Sequence, residues 1–180
     1  MFTKVTQLRS DAQVAYLLTL SETIIQKLSG SDGYEKASEA LKACWDWVET
    51  KRISGDCLYE FLDNIDETGL FILMQLEKDA VKQRVWICVV SAISYTTWKA
   101  YQERGEKYLP APIEEVDEDF ILYFIEQFHA IGARYKEISE KLLQFLMENH
   151  KVVHRESMIS VIKKQKAQLT AEKLMANPVC

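Results

Sequence analysis

The chain is poor in the features by which most functional classes show themselves. With six glycines in 180 residues, it has no glycine-rich loop to cradle a phosphate. With three prolines, it has few points at which a helix must stop. The four cysteines, Cys44, Cys57, Cys88 and Cys180, contain no Cys-x-x-Cys pair. Cys44 and Cys88 fall on apolar helix faces, where a free thiol behaves as a small hydrophobe, and a reducing cytoplasm is the expected compartment. Cys180 is the last residue, whereas a prenylation box needs its cysteine fourth from the end. The opening MFTKVTQLRSDAQ has no apolar core and no small-residue cleavage site, so secretion is not expected. The longest uncharged run, residues 85–98, is 14 long; a membrane span needs about 20, so this run predicts a buried helix. No Gly-x-Ser-x-Gly elbow occurs, and the three histidines, His129, His150 and His154, all lie late in the chain.

What the chain does have is helical periodicity. Ile121, Phe124, Phe128, Ile131, Tyr135, Ile138, Leu142 and Phe145 recur at intervals of three and four. This spacing predicts one striped helix buried against others. The expectation is an all-α fold, a single domain over residues 1–180 with six to eight helices around a central apolar helix. A chain this long buries about 70% of the surface its unfolded form exposes.

Along the chain, Ser10 with Gln13 reads as a capping box. It opens a helix whose inner face is Val14, Leu17, Leu18, Ser21, Ile24, Ile25 and Leu28. After the turn Gly30-Ser31-Asp32-Gly33, a second helix places Tyr34, Ala37, Leu41, Cys44, Trp45 and Val48 on one side. Trp47 then points about 200° away from Trp45. Ser54 caps a short helix carrying Cys57, Leu58, Phe61, Leu62 and Ile65, and Thr68 is placed to cap the apolar run 70–76. The central helix is expected over 79–104. Leu109-Pro110-Ala111-Pro112 reads as a stiff extended linker into the striped helix. A final helix over 156–173 has Met158, Val161 and Ile162 to dock, within a basic C-terminal segment, residues 151–180.

Charge is segregated. Residues 1–150 hold 16 basic and 25 acidic side chains, and residues 151–180 hold 6 and 2. An acidic body repels nucleic acid and attracts cationic partners. Two acidic segments stand out: Asp63, Asp66 and Glu67, and the run Glu114, Glu115, Asp117, Glu118 and Asp119 at the start of the striped helix. Each reads as a solvated turn or as a docking surface for a basic partner. Trp47 reads either as core or as an interface anchor.

Metal and catalytic patterns are incomplete. Glu126 and His129 make one Glu-x-x-His half-site, but a di-iron bundle needs two such pairs and two further glutamates. His150 and His154 could share a helix face, yet Asn149-His150-Lys151 reads as a helix end. Neither a metal nor a cofactor is expected.

The stretches 43–49 (Ala-Cys-Trp-Asp-Trp-Val-Glu), 55–63 (Gly-Asp-Cys-Leu-Tyr-Glu-Phe-Leu-Asp) and 92–101 (Ala-Ile-Ser-Tyr-Thr-Thr-Trp-Lys-Ala-Tyr) carry a family likeness. The chain resembles the all-α immunity proteins numbered six among bacterial polymorphic toxin systems, over roughly residues 10–150. The resemblance implies a non-enzymatic, cytoplasmic protein that occludes the active site of a cognate, basic toxin domain, without membrane or nucleic-acid binding. The alternatives are a small cytoplasmic enzyme and a helical regulator that binds nucleic acid through Lys163, Lys164 and Lys166.

Overall fold

In a computed structural model of the protein, which describes residues 2–149 and 153–176, every regular element is helical. The order is α1 (Phe2–Val5), α2 (Ser10–Ile24, continued by a 3-10 turn over Ile25–Leu28), α3 (Tyr34–Thr50), α4 (Gly55–Leu62) and α5 (Leu70–Leu76). Then come α6 (Ala80–Arg104), α7 (Ala111–Glu114), α8 (Asp119–Ala130), α9 (Ala133–Glu148) and α10 (Arg155–Ala176). Of these, α1 and α7 are single turns, and the other eight form the bundle. His150 and Cys180 lie outside the described residues.

The uncharged run lies in α6, the axis of the molecule. Asp79 caps it, its Oδ1 accepting from the backbone N–H of Val81 (2.9 Å) and Lys82 (2.8 Å). It ends at Gly105, whose φ of +68° is the left-handed geometry that suits glycine. From Val85 to Thr97 every residue except Ile87 is buried, and α2, α3, α4, α5, α7 and α8 all touch the helix. Thr96 and Thr97 donate to the carbonyls of Ala92 (2.7 Å) and Ile93 (2.9 Å), hiding their hydroxyls in the helix's own turns.

A second helix is enclosed as fully. The expected inner face of α2 is buried, but so is everything else from Ala12 to Ser21. Two of its buried hydroxyls find backbone partners: Thr19 donates to Ala15 O at 2.6 Å and Ser21 to Cys88 O at 3.4 Å.

Several local expectations are corrected. The eight-residue stripe is not one helix: it breaks at Ile131-Gly132 into α8 and α9. Residues ten apart on a continuous helix stand about 15 Å apart, yet His129 Nε2 and Ser139 Oγ are 2.7 Å apart, so the chain folds back on itself. Phe128 meets Tyr135 edge-on across the bend, with ring centroids 5.2 Å apart. Ser10 forms no capping box, because the helix begins one residue earlier. Arg9 takes the cap position, and Gln13 is drawn inward to Thr6 O at 3.2 Å. Gly69, not Thr68, precedes α5, and Thr68 instead bonds Asn64 and Lys36. Ile65 lies beyond the end of α4, which stops at Leu62, and is 99% exposed. The proline linker is extended only to Pro110; Ala111 to Glu114 make a helical turn, where Pro112's missing N–H costs no bond.

Cys44 and Cys88 are free and buried, whereas Cys57 is free and exposed. Burial pushes the Cys44 thiol up to about 12 and raises that of Cys88 as well, so neither forms a thiolate near neutrality. In a Cys180→Ser protein, a bulky thiol reagent should therefore modify Cys57 rapidly and reach Cys44 and Cys88 only on unfolding. Mass-resolved labelling of the native protein checks this, and rapid modification of Cys88 would contradict the packing.

Candidate functional site

The two acidic segments are built differently. The first is the connection between α4 and α5. Asn64 Oδ1 accepts from Thr68 N at 3.0 Å, closing the turn. Lys36 reaches across from α3 to donate to Thr68 O at 2.8 Å. Glu67 sits at φ +54°, a left-handed conformation that the closed turn imposes. Asp63, Asp66 and Glu67 are exposed around the Ile65 tip, and Asp63 also accepts from Tyr59 OH at 3.1 Å.

The second segment is not the first turn of the striped helix. Glu114 ends α7, residues 115–118 form a connection, and only Asp119 belongs to α8. Val116 is buried at 2% and pins the connection to the core. Glu114, Glu115, Asp117 and Asp119 are exposed, whereas Glu118 is half-buried and its carboxylate is engaged by the body. Its Oε1 accepts from Lys99 Nζ at 2.8 Å, and its Oε2 lies 3.0 Å from Tyr95 OH. The same phenol stands 2.8 Å from Gln13 Oε1, so one proton serves two acceptors. Burial first, and then Glu118, push the Tyr95 phenol upward, so it stays protonated. Lys99 has a side chain only 10% exposed, with its ammonium 4.2 Å from the Trp98 ring centroid and 5.2 Å from that of Tyr95. Glu118 thus serves as the counter-ion of Lys99 while 44% of its side chain stays exposed, a role that the run of acids in the sequence does not reveal.

Trp47 is also removed from the surface. It is 2% exposed, with Lys51 Nζ 3.4 Å above its ring and Lys51 paired in turn to Asp11. Trp45 and Trp47 diverge as expected, but α3 is touched by α2, α4 and α6, so both indoles are covered.

A cleft of about 460 Å³ lies between the end of α2, the start of α3 and α10. Its most perturbed group is Glu22, whose carboxyl is raised by burial; the Arg155 guanidinium and the Trp45 indole oppose that rise. Arg155 Nε donates to Glu22 Oε1 at 2.7 Å, and Arg155 N to Glu49 Oε1 at 3.1 Å. A carboxylate clamped by guanidinium is a poor general base. What this pair does is fasten α10, whose Met158 and Ile162 are buried against the body. Lys163 and Lys164 are exposed on α10, and the side chain of Lys166 lies outside those described.

His129 is partly buried, and burial lowers its pKa. Ser139 gives its own proton to Lys136 O at 2.7 Å, so the imidazole donates to the hydroxyl through Nε2–H. This histidine, expected beside Phe128 on a polar face, stitches α8 to α9. Among the described residues, no three His, Cys, Asp or Glu side chains converge as a metal site. No helix of the described residues is long and apolar enough to cross a membrane.

Comparison with known proteins places these features in context. The profile of the family described as Immunity protein Imm6 matches residues 12–131, from the first turns of α2 through the end of α8. No curated protein and no solved structure matches the chain. The matched span contains 11 basic and 21 acidic residues, a balance of −10, so the acidity of the chain resides there.

Glu118 should be set apart from its neighbours by stability. Glu118→Ala leaves the nearly buried Lys99 cation without its counter-ion and should cost about 1–3 kcal/mol. Alanine at Glu115 or Asp119 should stay within about 0.5 kcal/mol of the parent. Asp117, whose Oδ1 accepts from Asp119 N at 2.9 Å at the start of α8, should cost about 0.5–2 kcal/mol. Urea denaturation of the four variants measures the contrast.

Proposed function

As the chain belongs to the Imm6 immunity protein family, we propose that it binds a cognate toxin domain and occludes that domain's active site without turnover. The observation that carries this reading is the −10 balance of the matched span, displayed on exposed acids held by the fold. Toxin domains that cut nucleic acid are cationic around the groove that takes phosphates. A rigid acidic surface can occupy such a groove and reach it quickly through long-range attraction. The chain acts as one domain in the cytoplasm, where Cys44, Cys57 and Cys88 stay reduced. The acidic body argues against nucleic acid as its own ligand. The most perturbed carboxyl of the cleft, Glu22, fastens a helix rather than facing a nucleophile, which favours binding over catalysis.

Candidate contact residues are Asp63, Asp66 and Glu67 on the α4–α5 turn, and Glu114, Glu115, Asp117 and Asp119 around the start of α8. The test takes as partner any toxin-like domain found in a reading frame adjoining this chain's own. Co-expression should restore growth, and the purified proteins should form a complex that lacks the toxin's activity. Failure of the wild-type chain to bind or protect would reject the reading. Reversing Glu115, Asp117 and Asp119 to lysine should slow association about tenfold or more at low salt. The difference should shrink as ionic strength rises, because screening removes the attraction. The same reversal at Asp63, Asp66 and Glu67 is the parallel arm. Stopped-flow association at two ionic strengths reads both, and unchanged rates in both variants would reject acidic docking.

A further inference from the structure

The outer face of α8 is a coherent surface that no other element covers among the described residues. Asp119, Leu122, Tyr123, Glu126 and Ala130 are all exposed and follow one another at helical spacing, so they form one stripe. The opposite stripe, Ile121, Phe124, Ile125 and Phe128, is buried against the core and fixes the rotation of the helix. The outer stripe therefore cannot turn inward without exposing three or four core side chains. At its centre stand two large apolar residues, Leu122 at 37% and Tyr123 at 44% exposure, with an acid on either side along the helix. The Tyr123 ring leans on Phe120, centroids 6.5 Å apart, which limits its freedom before any partner arrives.

The charge carried by this segment itself is of one sign. The cations that reach it from α6 are Arg84, whose Nη1 donates to Gln127 Oε1 at 3.0 Å, and Lys99 on Glu118. Between Lys107 and Arg134 the chain has no lysine or arginine and six acids, Glu114, Glu115, Asp117, Glu118, Asp119 and Glu126. Five of these are exposed, and Glu118 is half-buried and engaged by Lys99. A second copy of the chain would bring these acids against their own images, so self-association through this face is opposed by like charge. A partner with an apolar pocket rimmed by lysine or arginine is matched in both respects. A rigid tyrosine beside an aliphatic residue, ringed by charge, has the make-up of an interface hot spot. The α4–α5 turn differs, offering a single exposed isoleucine at its tip and no helical face.

We propose that the outer face of α8, centred on Leu122 and Tyr123, is the surface that binds the toxin domain, a cationic protein partner. The proposal rests on the immunity reading above and ranks this face over the α4–α5 turn. In the complex, Leu122 and Tyr123 enter the apolar pocket, while Asp119 and Glu126 pair with the basic rim.

The test compares wild type, Leu122→Ala/Tyr123→Ala, Glu126→Lys and Ile65→Ala against any toxin-like domain found in an adjoining reading frame. Circular dichroism and urea melts confirm folding first. The double variant should bind about thirtyfold or more weakly, mostly through faster dissociation. Glu126→Lys, which keeps every apolar group, should slow association at low salt, and Ile65→Ala should bind as wild type. If the double variant fails to fold, a wild-type rate for Glu126→Lys overturns the proposal alone. Wild-type binding by the double variant, or loss of binding in Ile65→Ala instead, overturns the assignment and leaves the immunity reading standing. No binding by the wild-type chain overturns both. A wild-type dimer in light scattering that the double variant abolishes would assign the face to a second copy and likewise overturn the proposal.

Discussion

The structure depends on the need to cover α6 from every side. A helix with no charge between residues 85 and 98 cannot face water along any stripe. Six helices touch it, and their arrangement is largely the solution to that packing problem. Once α6 takes the centre, α2 and α8 are pressed along it, and their outer faces become the places where sequence is free to serve something other than burial. On α2 little of that freedom remains, because α9 and α10 close over it. On α8 it survives.

Much of this was legible from periodicity. The bounds of α6 fall within a residue of the expected 79–104, and the residues that spacing selects on α2 are buried, although α2 is also buried on its other sides and α3 also buries Trp47. The break between α8 and α9 was not legible, because Ile131 and Tyr135, four apart, are equally compatible with a straight helix and with two helices facing the same core. Gly132 was the available signal, as a residue of poor helix propensity inside an otherwise regular stripe. Local cap patterns misled at Ser10 and Thr68 because a tertiary partner, Tyr95 for Gln13 and Lys36 for Thr68, outcompeted the local bond.

The candidate surface was legible as composition but not as geometry. A run of acids has no internal mark that distinguishes Glu118 from Asp117 or Asp119. What distinguishes it is Lys99, 19 residues earlier and delivered by α6. Trp47 failed as an anchor for a related reason. An angle on the helix wheel says nothing about what covers that side, and Trp47 is 2% exposed, beneath Lys51 and its partner Asp11.

The engagement of Glu118 by Lys99 has a bearing on entropy. Ordering a flexible loop when a complex forms costs about 1–2 kcal/mol for each residue fixed. Here the connection between α7 and α8 is already held at two points, by Val116 in the core and by Glu118 on Lys99. The acids between and beside those points are presented in one conformation before any encounter. The ordering cost is met during folding, so in the proposed complex the attraction generated by those charges would carry no such deduction.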